Sequence, residues 1–124
     1  MTSIPRIGID AMGGDYGPSV VAEGSVLAFR EMPGRFELTL VGDESEIRPA
    51  LKKAHADGLP IQVVHAAERI EMAEKAVAAA RRKSQSSLGV LTQLHKDGKV
   101  DAVFSAGNTG AVVATALLGL GRLE

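Results

Sequence analysis

Residues 4–18 read IPRIGIDAMGGDYGP, and this passage decides the fold. Ile4 to Ile9 is a short apolar run suited to a buried strand, and Pro18 suits the first turn of a helix. A glycine-rich turn beginning at Asp10 joins the two. A strand that enters a helix through a tight loop is the opening of a βαβ unit, and the same grammar recurs downstream. Phe36 to Val41, Ile61 to Val64 and Val100 to Phe104 read as further strands. Between them the spacing turns helical. Val20, Val21, Gly24, Leu27 and Ala28 are expected on one inner face of the first helix, with Pro33 and Gly34 stopping it. Ile47, Ala50, Leu51 and Ala54 repeat at i, i+3, i+4 and i+7 behind Asp43 and Glu46, an Asp variant of the capping box. Val90, Leu91 and Leu94 form a third face that Asp97 and Gly98 end. Strands alternating with helices predict an α/β fold around a mainly parallel sheet. Asp101 within the last strand and the imperfect alternation of FELTLV (residues 36–41) keep some strands from the centre. Residues 68–87 shift towards charge and Ala, which fits an exposed helix or ordered loop.

The chain has 124 residues, 45% apolar and 23% charged, within the range of one folded domain. Fourteen Lys and Arg against fifteen Asp and Glu leave a net charge of −1, which argues against a nucleic-acid footprint. Aromatic residues are only 3%, too few for a base-stacking surface. Cysteine is absent, so disulfides, thiolate catalysis and Cys-based zinc sites are excluded. His55, His65 and His95 stand apart, without metal-ligand spacing, and His95 is expected at the surface near a helix end. No leader-like segment opens the chain, and its most apolar stretch, Ala111 to Leu120, is far short of the about 20 residues a spanning helix needs. A soluble, intracellular protein is the expectation. The helix from Gly110 to Leu120 is apolar nearly all round and should need protein on several sides. A chain of this length hardly supplies that cover, so the first part of a longer protein is expected.

Three stretches hold groups able to bind a ligand. The first is Asp10 to Pro18, where Gly13 and Gly14 allow close backbone approach and Asp10 and Asp15 bring two carboxylates together. The same residues also suit a plain turn that caps the next helix. The second is Ser105 to Ala111, ahead of the apolar helix. Its small residues, Gly107 and Gly110 among them, leave first-turn N–H groups open, and Asn108 and Thr109 add side-chain donors. Such a turn fits a phosphate or a developing oxyanion, and equally an ordinary N-cap. It is neither a Walker loop nor a dinucleotide fingerprint. The third is Arg81 to Ser87, where two Arg, a Lys and three Ser could clamp an anion. The alternative is a solvated helix end followed by Ser86 or Ser87 capping the next helix.

Read together, these stretches resemble the acyl-carrier-protein:phosphate acyltransferases of bacterial phospholipid synthesis. The matching pieces are IGIDAMGGDYGP (7–18), LVGD (40–43), EMAEK (71–75) followed by RRKSQSSL (81–88), and DAVFSAGNTGA (101–111). They stand in the family's order and spacing across the whole chain. Ala76 departs from the family's usual Pro, and the resemblance covers only the N-terminal part of the longer family chain.

The resemblance implies a three-layer αβα fold, similar to phosphotransacetylases and to isocitrate- and isopropylmalate-type dehydrogenases. Residues 1–124 would form the N-terminal portion of a single acyltransferase domain. It implies transfer of a fatty acyl group from acyl carrier protein to inorganic phosphate, with no cofactor and no metal. A homodimer in the cytoplasm is implied, touching the inner face of the membrane and a downstream acyltransferase peripherally. The alternatives are a coenzyme A-dependent phosphotransacetylase on the same fold, or a fragment that only dimerises or binds anions. In the favoured reading Ser105, Gly107, Asn108, Thr109 and Gly110 bind phosphate or the oxyanion, with Asn108 as the catalytic donor. Asp10, Gly13, Gly14 and Asp15 shape the cleft, and Arg81, Ser86 and Ser87 contact the anion.

Overall fold

The computed structural model describes residues 4–14, 16–66, 86–106 and 120. Among the described residues seven elements follow one another: β1 (Arg6–Asp10), α1 (Pro18–Glu31), β2 (Glu37–Gly42), α2 (Glu44–Lys53), β3 (Ile61–His65), α3 (Ser87–Lys96) and β4 (Ala102–Phe104). The four strands form one sheet in the order β3-β2-β1-β4, and every pairing is parallel. This is an α/β fold with helices on both faces, consistent with a three-layer αβα arrangement.

Strand alternation sorts the two faces. On one face the register sets Ile7 beside Leu38 and Leu38 beside Ile61, then Ile9 beside Leu40 and Leu40 beside Val63. Against these residues pack Val21, Ala28 and Phe29 of α1 and Ile47 and Leu51 of α2. The opposite face carries Val41 and Val64, covered by Val90, Leu91 and Leu94 of α3. A side-chain period of two gives each strand one set of residues per face, so both layers are buried at once.

The helices obey their local signals with two corrections. Pro18 occupies the first turn of α1, as expected. Its buried side, however, is Ala22, Ser25, Val26 and Phe29, while Val20 is 53% and Leu27 58% exposed. Val21 and Ala28 of the expected face are half-buried. The physical reason is the ring of Phe29, which stacks on Phe36 with centroids 4.5 Å apart and sets the helix rotation. The second correction is His95, which is half-buried rather than exposed. The Asp97–Gly98 turn folds back over the helix end, Lys99 N–H donating to Leu94 C=O at 2.9 Å. The Nδ1 of His95 is sheltered there without a hydrogen-bond partner among the described residues. Elsewhere Asp43 caps α2 by accepting from Ser45 N–H at 2.9 Å. Hydrogen bonds from Ser45 hold the Asp43 carboxyl below the usual carboxylate range.

Strand ends shift by one or two residues from expectation. Val100 is buried ahead of β4, and Asp101 turns its carboxylate to Arg6, 3.0 Å away. That guanidinium holds the Asp101 carboxyl below its ordinary value. The expected apolar helix 110–120 and the charged segment 68–85 lie outside the described residues, apart from Leu120, which is helical.

Candidate functional site

The strand order places a break in winding between β1 and β4. From β1 the chain steps outward to β2 and β3 with α1 and α2 on one face. It then returns past β1 to β4, with α3 on the other face. Crossovers that leave neighbouring parallel strands in opposite directions open a crevice at the carboxyl ends of those strands. In this chain the two strands deliver the Asp10–Gly14 turn and the residues Ser105 and Ala106 to that crevice.

Asp10 is the hub of the arrangement. It is the last residue of β1 and only 3% exposed. One carboxylate oxygen, Oδ1, accepts from the N–H of Met12 at 3.0 Å and from the hydroxyl of Ser87 at 2.6 Å. The other, Oδ2, accepts from the hydroxyl of Ser105 at 2.8 Å. Three chain segments distant in sequence therefore meet on one side chain. A buried carboxylate needs such donors, since burial without them costs several kcal/mol.

The turn after Asp10 takes its shape from two glycines. Gly14 has φ +81°, in the left-handed region, and a Cβ there would stand 3.6 Å from both Cβ and O of Ala106. The β1 turn thus touches the chain beyond β4 at Gly14. Gly42, at the end of β2, lets Met12 pack close: a Cβ on Gly42 would lie 2.5 Å from Met12 Cγ. Met12 is buried in that hollow at 4% exposure, and Gly13 beside it is half-buried.

Ser86 and Ser87 begin α3 beneath this turn, and both are buried. The Ser86 hydroxyl accepts from Gly89 N–H at 3.1 Å and so caps the helix, while Ser87 reaches Asp10. Of the residues read from the sequence as a site, the structure brings Asp10, Gly14, Ser87 and Ser105 into one cluster, with Gly13 and Ser86 adjoining. Asp15, Arg81, Gly107, Asn108, Thr109 and Gly110 lie outside the described residues. Sequence reasoning passed over Met12 as a packing group and Ala106 as the contact of Gly14, since neither residue type signals a role without its neighbour.

What the cluster shows is a buried carboxylate whose hydrogen bonds tie the end of β1 to the start of α3 and to the residue after β4. Among the described residues no group of three or more His, Cys, Asp or Glu could hold a metal ion. No helix among them is long and apolar enough to cross a membrane. A separate open groove at the amino ends of the strands, lined by Arg6, Glu37, Gln62 and Lys99, lies at the wrong end of a parallel sheet for ligand binding.

The family described as Fatty acid synthesis protein matches residues 5–124 of the chain. A phosphate acyltransferase of Pelotomaculum thermopropionicum is 48% identical over 119 residues, covering 96% of this chain and 34% of that protein. One from Myxococcus xanthus is 50% identical over 118 residues, 95% of this chain and 33% of its own length. One from Dictyoglomus turgidum is 45% identical over 119 residues, 96% of this chain and 35% of its length. The chain spans about a third of the curated relatives it matches.

Proposed function

This chain belongs to the fatty acid synthesis protein family, and from that membership we propose that it is the N-terminal portion of a phosphate acyltransferase domain. The reaction is transfer of a fatty acyl group from the thioester of acyl carrier protein to inorganic phosphate, feeding phospholipid synthesis. A phosphate oxygen attacks the thioester carbonyl and the carbonyl oxygen becomes an oxyanion. Collapse expels the carrier thiolate, which takes up a proton, and leaves acyl phosphate. No electrons are transferred, so the reaction calls for no redox cofactor. A homodimer in the cytoplasm, with peripheral contact at the membrane where the product is consumed, completes the proposal.

The observation that carries this reading is the meeting of the Asp10–Gly14 turn with Ser105 and Ala106 at the break between β1 and β4. Attack by phosphate requires positioning and charge stabilisation, and preorganised N–H donors at such turns supply both. In this scheme Ser105 opens a loop in which Gly107, Asn108, Thr109 and Gly110 bind phosphate or the oxyanion. Asp10, Gly13, Gly14 and Asp15 shape the cleft wall. Arg81 offers positive charge, and Ser86 and Ser87 seat the start of α3.

The test uses the complete protein with an acyl carrier protein thioester and inorganic phosphate, trapping acyl phosphate with hydroxylamine. Product should form, and Asn108→Ala should lower turnover by about 10²-fold, the usual cost of one oxyanion donor. Product from the coenzyme A thioester alone would move the reading to a phosphotransacetylase. No product from either donor sinks it, as does an Asn108→Ala protein of normal activity.

A further inference from the structure

We propose that Asp10 is a positioning residue that locks the turns of the site together, and that Ser87 and Ser105 act through it rather than on the bound anion. Part of its test rests on the phosphate acyltransferase reading above. The proton inventory carries the inference. A carboxylate can only accept, so the Ser87 and Ser105 hydroxyls, at 2.6 and 2.8 Å, must each direct their single hydrogen to Asp10. Met12 N–H supplies a third donor at 3.0 Å. With its hydrogen committed, a serine oxygen presents only lone pairs to whatever else approaches it. It repels an anion instead of binding it. Ser87, only 2% exposed, is also enclosed by protein. A phosphate or oxyanion is therefore left to N–H donors of the turns, and the serines serve to fix where those turns lie. Asp10, at the end of β1, reaches one serine at the start of α3 and another just beyond β4, so it ties β1 to the elements across the crevice.

Two measurements on the complete protein test this. In the first, amide hydrogen exchange is followed in Asp10→Ala, with Asp10→Asn as the volume-matched variant. Exchange should rise about ten-fold in residues 86–90 and 102–106, the equivalent of one lost bond to a charged group, while α2 stays as in the parent. An unchanged pattern, or an equal rise across the whole sheet, overturns the proposal. This arm needs no activity, so it stands even if acyl transfer is not found. The second is a mutant cycle on kcat/KM for phosphate. Ser87→Ala and Ser105→Ala should each reduce it in the parent background, yet cost nothing further once Asp10 is Ala. Losses that add fully would mean that the serines touch the anion directly, and the inference fails.

Discussion

At the scale of single residues, the decisive features are a carboxylate that is satisfied and a glycine that cannot be replaced without strain. Gly14 combines φ +81° with 3.6 Å of clearance to Ala106. A single methyl fits the space but not the backbone angle. Gly14→Ala should therefore cost about 1–2 kcal/mol through backbone strain alone. Gly14→Val adds crowding against Ala106 and should cost roughly 1–3 kcal/mol. Urea denaturation of the complete protein measures both, and an Ala variant as stable as the parent removes the strain rationale. Asp10 was legible as a residue of interest from its place after the first strand, but not in its role. The two serines it holds lie 77 and 95 residues away, and no local pattern reveals such partners.

At the scale of elements, α1 and α3 teach different lessons. The helical period located both, together with the proline that starts α1 and the Asp97–Gly98 end of α3. The buried face of α1 departs from the aliphatic pattern because Phe29, stacked on Phe36, dominates its packing. In α3 the sequence offered two adjacent serines as caps, and the fold divides the work. Ser86 caps the helix through Gly89 N–H at 3.1 Å, and Ser87 turns to Asp10. Ser86→Ala should accordingly lower stability by about 1 kcal/mol, and Ser86→Gly by only a few tenths. Thermal melts of the two variants give the comparison. Equal losses, or none, would remove the cap from the account of α3.

At the scale of the whole molecule, the described sheet ends at β4, whose one neighbour there is β1. Its side chains are open: Val103 is 43% and Phe104 60% exposed. Each large apolar side chain left in water forgoes about 1.5–3 kcal/mol, against a typical domain stability of about 5–15 kcal/mol. Residues 1–124 expressed alone should bind a hydrophobic dye or self-associate, and should form no acyl phosphate. Light scattering with the hydroxylamine assay checks both. A monodisperse, dye-silent monomer that makes acyl phosphate would overturn the expectation.

The sequence by itself determined the alternation of strands and helices, the parallel sheet this implies, and the glycine-rich turn after β1. Those features depend on neighbours within a few residues, through side-chain period, turn glycines and helix-starting proline. Only the tertiary structure decided the strand order, the rotation of α1 and the convergence on Asp10. Strand order depends on which edge of β1 the returning chain takes, helix rotation on which ring finds a partner across the core. The role of Asp10 was set when burial left its carboxylate to be satisfied by donors that the fold, not the local sequence, brings within 3 Å.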